Sequence, residues 1–481
     1  MQNYIKSRSS DCSGLITAML VMMFLMSGKS LIAQQTAKTN VIVIVSDDAG
    51  YADFGCYGGK EIPTPHIDAI AEGGVRFTDA YVSASVCAPS RAGLLTGRYQ
   101  QRFGFEHNTS TQVSTGYTLA DVGMDVKEQT IGNEMKANGY RTIAIGKWHQ
   151  GDEPHHFPLN RGFDEFYGFT GGQRDFFAYK TKPKRENVLY DNREAVPEDK
   201  VTYLTDMLTD RATRFIQENK EKPFFMYLAY NAVHTPMNAK QDLMTLYAHI
   251  PDSGRRAYAA MMTSLDDNVG KLISSLKQLG LDKNTLIVFI NDNGGATTNS
   301  SDNGVLRGMK GAKWEGGIRV AMMMNWPEHI SPGFVYRHPV SALDILPTAL
   351  SAINGSQKGL LPLDGLNLIP YLKAGNNKAP HEVLFWRRGV AAAMRKGNWK
   401  LIRVIENQVQ HVLLFDLEKD LSETTDLSDK YPRIVREMLR SLSQWEKNLD
   451  KPHWGSTYGG KNQIMKHRME TKGRAMERLY P

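Results

Sequence analysis

Val41-Ile-Val-Ile-Val45, running into Ser46-Asp47-Asp48, decides the fold. Five β-branched residues in an unbroken run leave no polar face. Such a strand belongs in the middle of a parallel sheet, covered on both sides. Similar runs recur at Arg141–Ile145, Phe224–Tyr230 and Thr285–Ile290. Amphipathic, helix-like segments lie between them at Ile131–Ala137, Met207–Asn219 and Tyr258–Leu279. Strands alternating with helices predict an α/β fold, a mostly parallel central sheet flanked by helices.

Each run leads into polar residues. The first ends in Asp47-Asp48, the second in Lys147-Trp148-His149, the third in Asn231 and His234, the fourth in Asp292-Asn293. In open α/β sheets, sites form beyond the carboxyl ends of the strands. One such cluster is usually a cap or a turn; four together predict a site. After about residue 375 the pattern changes. Val383–Trp386, Ala391–Arg395, Trp399–Val404 and Val412–Asp416 read as short strands and Tyr431–Leu449 as a helix. A smaller C-terminal α+β antiparallel-sheet subdomain is expected over 375–460, after a catalytic domain over 38–370.

With 41% hydrophobic and 23% charged residues in 481, the chain is neither disordered nor a polytopic membrane protein. Three Cys exclude a disulfide scaffold. Residues 1–33 read as a cleaved signal peptide: Lys6 and Arg8 precede the apolar stretch Leu15–Met26, which is too short to span a bilayer. The expectation is an exported, periplasmic protein with no stable membrane insertion. Loss of Lys6, Arg8, Lys29 and Asp11 lowers the formal charge from +7 by two. Residues 461–481 form a basic tail, read as a solvated segment. No base-reading motif appears, so nucleic acid is not an expected partner.

Asp47, Asp48, Asp292 and Asn293 offer hard oxygen ligands at one sheet edge, suited to Ca²⁺, or Mg²⁺, rather than Zn²⁺. Cys87-Ala-Pro-Ser-Arg-Ala-Gly-Leu-Leu-Thr-Gly97 is the most specific stretch. By itself Cys87 reads as a small buried hydrophobe or a thiol beside Arg91. The stretch resembles the signature of formylglycine-dependent sulfatases, Cys-x-Pro-Ser-Arg-x-x-Leu-x-Thr-Gly, at every fixed position. Pro63–Asp68, Gly146-Lys-Trp-His149, Asp292-Asn-Gly294 and Leu306–Gly311 with Glu315–Arg319 resemble further motifs of that family. Leu414–Leu417, with Asp420 and Glu423, resembles the start of its C-terminal helix region.

The resemblance implies an alkaline phosphatase-like fold and a sulfuric ester hydrolase. It implies that a maturase oxidises Cys87 to formylglycine, which joins Asp47, Asp48, Asp292 and Asn293 around a metal. Arg91 steadies that pocket, and Lys147 and Lys310 bind the sulfate oxygens. His234 or Lys310 protonates the leaving oxygen, and His149 removes a proton from the hydrated aldehyde. Lys313 is kept as a surface charge. Tyr99–His107 resembles carbohydrate-directed sulfatases, so a sulfated polysaccharide or oligosaccharide is the expected substrate. Arg174, Asp175, Trp314 and Arg387 are candidate sugar contacts, with His155, His156 and Trp386 behind them. A phosphoester hydrolase of the same superfamily, or an inactive protein that binds sulfated glycans, are the alternatives.

Overall fold

β1 (Asn40–Ser46) is buried along its whole length, as an unbroken β-branched run requires. In this computed structural model, which describes residues 38–356, 360–373, 378–406 and 408–455, it lies between two late strands. The expected signal peptide and basic tail fall outside those residues.

The main sheet continues with β2 (Val75–Tyr81), β3 (Arg141–Lys147), β4 (Glu165–Phe169), β5 (Tyr190–Asp191), β6 (Glu194–Ala195), β7 (Phe224–Ala229), β8 (Thr285–Asn291), β9 (Arg319–Asn325), β10 (Phe334–Tyr336) and β11 (Val340–Ser341). The order is β10-β2-β9-β8-β1-β7-β3-β4-β5-β6, with β11 beside β2. β8, β1, β7, β3 and β4 run parallel. β9 is antiparallel to both β8 and β2.

Side chains alternate across β1 with period two. Val41, Val43 and Val45 enter one core, with residues of the helices Cys87–Thr96, Ile131–Ala137 and Ile345–Ala352. Ile42 and Ile44 enter the other, with residues of the helices Pro65–Glu72, Leu204–Asn219 and Ser253–Gln278. Both faces are covered by helices, as predicted.

A second sheet holds β12 (Val383–Arg388), β13 (Ala391–Lys396), β14 (Trp399–Glu406) and β15 (Val409–Asp416), all antiparallel in sequential order. Leu384, Trp386, Ile402 and Phe415 pack one face on Ala312, Trp314 and Ile318 of the main body. Met394, Leu401 and Leu414 pack the other face on Met438, Leu442 and Trp445 of the helix Pro432–Glu446. Leu414–Asp416 thus end a strand, and the helix region starts only at Pro432. Among the described residues no helix is long and apolar enough to cross a membrane.

Candidate active site

Strand order brings the four polar strand ends together. β8, β1, β7 and β3 are consecutive neighbours, so Asp292-Asn293, Asp47-Asp48, Asn231 with His234, and Lys147 with His149 share one sheet edge. The helix Cys87–Thr96 is buried along all ten residues. It places Cys87 and Arg91 over that edge, one turn apart. Cys87 is 1% exposed.

Arg91 and Lys147 are the inner cations. Arg91 donates from Nε to Asp292 Oδ2 at 2.8 Å and from Nη1 to the Lys147 carbonyl at 3.1 Å. Its Nη2 lies 3.6 Å from Asp47 Oδ2. Lys147 Nζ reaches the same Asp47 oxygen at 2.6 Å. On the open side, Lys310 Nζ contacts Asp48 Oδ1 at 2.7 Å, and His234 Nε2 lies 3.5 Å from Asp48 Oδ2. Asn293 Nδ2 donates to Asp48 Oδ1 at 2.7 Å. The Asn299 amide braces this turn by donating to the Asp48 and Val233 carbonyls.

The acids do not behave alike. Burial favours the proton on Asp48, but Lys310, His234 and Lys147 outweigh it and hold its carboxyl below the ordinary range. Burial lifts Asp47 against Lys147 and Arg91. Burial and the charge of Asp47 lift Asp292. Asp47 Oδ1 and Asn293 Oδ1 are enclosed without hydrogen-bond partners. Buried acceptors of this kind call for a cation. Ligand atoms, one each from Asp47, Asp48 and His234, lie within 4.8 Å of one another. The residues therefore fit a hard divalent ion.

The histidines stay neutral. Burial, then Lys147 and Arg91, hold His149 far below the ordinary imidazole value. Burial takes His234 down to about 4 against the pull of Asp48. Burial works against the proton on Lys310, yet Asp48 raises it above the ordinary amine. The Cys87 thiol is raised by burial but lowered more by Lys147 and Lys310, so the pocket favours an anion.

Sequence reasoning missed several supports. Asn108 Oδ1 lies 3.7 Å from Cys87 Sγ and accepts from the Ala88 amide. Gln150 ties the His149 carbonyl to that of Ala88. Lone amides in loops carry no pattern that would reveal them. Lys313 is not a surface charge: it is 5% exposed, and its Nζ donates to Ser85 Oγ at 3.0 Å. Its apolar neighbours Ala312 and Trp314 carry it inside with them.

Trp314, Arg174, Trp386 and His156 are drawn inward, while Asp175 and Arg387 are half-buried and His155 is exposed. Trp314 is 1% exposed, lies in the core under Arg307 and has no open face for a ring. Arg174 is buried in an ion pair with Glu198 and stacks on Tyr179. Asp175 accepts from Asn238. Arg387 is held by Glu106. Trp386 is buried, its Nε1 on the Val82 carbonyl. His155 meets the Ala120 carbonyl, and His156 is buried.

Comparison with known proteins agrees with this geometry. The family model described as Sulfatase matches residues 39–356. The chain belongs to the sulfatase family. It is a sulfuric ester hydrolase. Mouse arylsulfatase J is 32% identical over 86% of this sulfatase and 76% of its own length. Human arylsulfatase A is 32% identical over 84% and 86%. The crystal structure of Ps i-CgsB in complex with k-i-k-neocarrahexaose has a TM-score of 0.81 and 37% identity, covering 92% of this sulfatase and 100% of that chain. PsFucS1 sulfatase from Pseudoalteromonas sp. has a TM-score of 0.74 and 25% identity, covering 92% and 96%.

Proposed function

We propose that this sulfatase removes sulfate from a sulfated polysaccharide or oligosaccharide, using Cys87 oxidised to formylglycine and a bound Ca²⁺, with Mg²⁺ as the alternative. The observation that carries the reading is Cys87 itself. It heads the signature helix, enclosed between Lys147, Lys310 and three buried carboxylates, in a pocket that favours an anion. The similarity to a protein crystallised with a carrahexaose supports a carbohydrate substrate.

Asp47, Asp48, Asp292 and Asn293 would hold the metal, with modified Cys87 completing the set. When bound, the ion supplies positive charge for a sulfate oxygen and lowers the pKa of the hydroxyl it holds. The hydrated aldehyde supplies the attacking hydroxyl and keeps a second hydroxyl for release of sulfate. Arg91 stabilises Asp47 and Asp292 as carboxylates. Lys147 and Lys310 meet the charge that builds on the sulfate oxygens. Lys310 enters the reaction protonated. An arriving sulfate raises His234 toward its ordinary value, so either group delivers the proton to the leaving sugar oxygen. His149, neutral and close by, accepts the proton whose removal expels sulfate.

The same reading takes residues 1–33 as a signal peptide for export to the periplasm, 38–370 as the catalytic domain, 375–460 as its companion and 461–481 as a solvated tail. A maturase is the implied partner. The test is the mass of the peptide carrying Cys87 from the natural host. Conversion of thiol to aldehyde lowers it by about 18 Da; an unmodified thiol in active enzyme overturns the mechanism.

A further inference from the structure

Cys87 opens the signature helix, yet Val86 before it gives that helix no side-chain cap. The cap comes from another loop. Asn108 Oδ1 accepts from the Ala88 amide at 3.1 Å, and it also accepts from the Cys87 thiol at 3.7 Å. An amide in the first turn of a helix needs an acceptor, so Ala88 fixes which way the Asn108 side chain faces. One oxygen with two lone pairs thus serves both the helix start and the side chain that becomes the nucleophile. At the other end of the same residue, Gln150 Nε2 donates to the Ala88 carbonyl at 3.0 Å.

Asn108 is itself held in place. Trp454 Nε1 is shared between the His107 and Asn108 carbonyls, at 3.1 and 3.0 Å. The indole is 1% exposed and stands edge-on to Phe105, with ring centroids 4.7 Å apart. The chain around it pairs with the loop that carries Asn108. The His453 amide donates to the Gly104 carbonyl, the Ser114 amide to the His453 carbonyl and the Gly455 amide to the Gln112 carbonyl. A segment beyond the second sheet therefore sets the position of an acceptor beside Cys87.

The oxidised side chain needs such an acceptor. Formylglycine is an aldehyde in balance with its hydrate: water adds its oxygen to the carbonyl carbon and a proton to the carbonyl oxygen. The aldehyde has no donor, whereas the hydrate has two hydroxyl donors. Enclosure away from water favours the less polar aldehyde unless those hydroxyls find acceptors. Lys147 and Lys310, the cations that act on Cys87, only donate. Asp47, Asp48 and Asp292 are already paired with Lys147, Lys310 and Arg91.

We propose that Asn108 is a positioning residue that holds formylglycine as its hydrate, one hydroxyl donating to Oδ1 while the other is left to attack sulfur. The inference rests on the oxidation of Cys87 proposed above.

The test is carbon NMR of the oxidised, calcium-loaded enzyme labelled at the cysteine β-carbons, where aldehyde and hydrate carbons are well separated. Asn108→Ala is expected to raise the aldehyde-to-hydrate ratio about three- to tenfold, the worth of one hydrogen bond. It should lower kcat about three- to tenfold with KM nearly unchanged. Asn108→Asp keeps an acceptor at the same place and holds the ratio near that of the wild type. A residue that only capped the helix would change the melting temperature and leave the ratio alone. Where Asn108→Ala does not fold or escapes oxidation, Trp454→Phe is measured in its place. It keeps a packed ring, removes the donor that pins Asn108, and is expected to move the ratio about twofold in the same direction. An unchanged ratio in the folded, oxidised variant, or equal loss of hydrate in Asn108→Ala and Asn108→Asp, overturns the assignment while leaving the formylglycine mechanism standing. An active wild type whose Cys87 peptide keeps the mass of the thiol overturns both.

Discussion

Gly172 lies against the His149 imidazole, and a Cβ there would stand 2.7 Å from both Cε1 and Nε2. His149 adopts a positive φ of 55°, which few residues without a Cβ-free backbone accept at no cost. The ring position is thus set by its own backbone and by the absence of a neighbour's side chain. Gly172→Ala should displace the imidazole and lower kcat by about 10- to 100-fold, with a smaller effect on KM, as steady-state kinetics would show. The unpartnered oxygens of Asp47 and Asn293 make a second prediction. Chelation should abolish turnover and lower the melting temperature. Calcium at a hundred times its Kd should return about 2.7 kcal/mol of stability, read by thermal unfolding. A protein whose melting is indifferent to both chelator and calcium would contradict the metal assignment.

At the scale of elements, His381 joins the segment leading into β12 to the turn before the helix Ile345–Ala352. Its Nε2 meets Asp344 Oδ1 at 2.7 Å, and Asp344 also accepts from the Ser341 and Leu366 amides. Burial alone would lower His381, but the Asp344 carboxylate carries it above the ordinary imidazole value. A raised folded-state value stabilises fully below the unfolded value of about 6.5 and is lost as pH rises through the folded value. His381→Gln should therefore lower the melting temperature most in mild acid, with the gap to wild type closing in alkali. The elements differ in how readable they are. β1, β3, β7 and β8 announce themselves because both faces are apolar, and their polar ends locate the site. β9, Arg319-Val-Ala-Met-Met-Met-Asn325, hides because methionine favours no strand. The helix Cys87–Thr96 hides because every residue is buried and no polar stripe remains to give a period; only the family signature marks it. Lys313 and Asn108 hide because what a loop side chain meets depends on neighbours distant in sequence.

At the scale of the whole molecule, the second sheet is fastened to the catalytic body by buried ions. Lys400, on β14, lies between Glu315 Oε1 at 2.8 Å and Glu423 Oε1 at 2.7 Å. Glu423 in turn accepts the Glu315 amide, and Tyr81 donates to Glu315 Oε2. Lys400→Met should cost roughly 3–5 kcal/mol, because it removes the cation that two buried carboxylates share, Glu315 keeping only its longer contact to Arg319 at 3.3 Å, and Lys400→Met with Glu423→Gln should recover part of it. Denaturant unfolding would measure both. The placement of β1 has a consequence in time. Its partners are β7 and β8, made some 180 and 240 residues after it. A growing chain therefore carries the Cys87 segment through about 140 residues of synthesis before β7 and about 200 before β8 complete the centre of the sheet. The thiol that is 1% exposed in the folded protein would be accessible to the proposed maturase during that interval and enclosed afterwards. On the proposal that Cys87 becomes formylglycine, slow assembly of a long-range sheet would be the window for that modification.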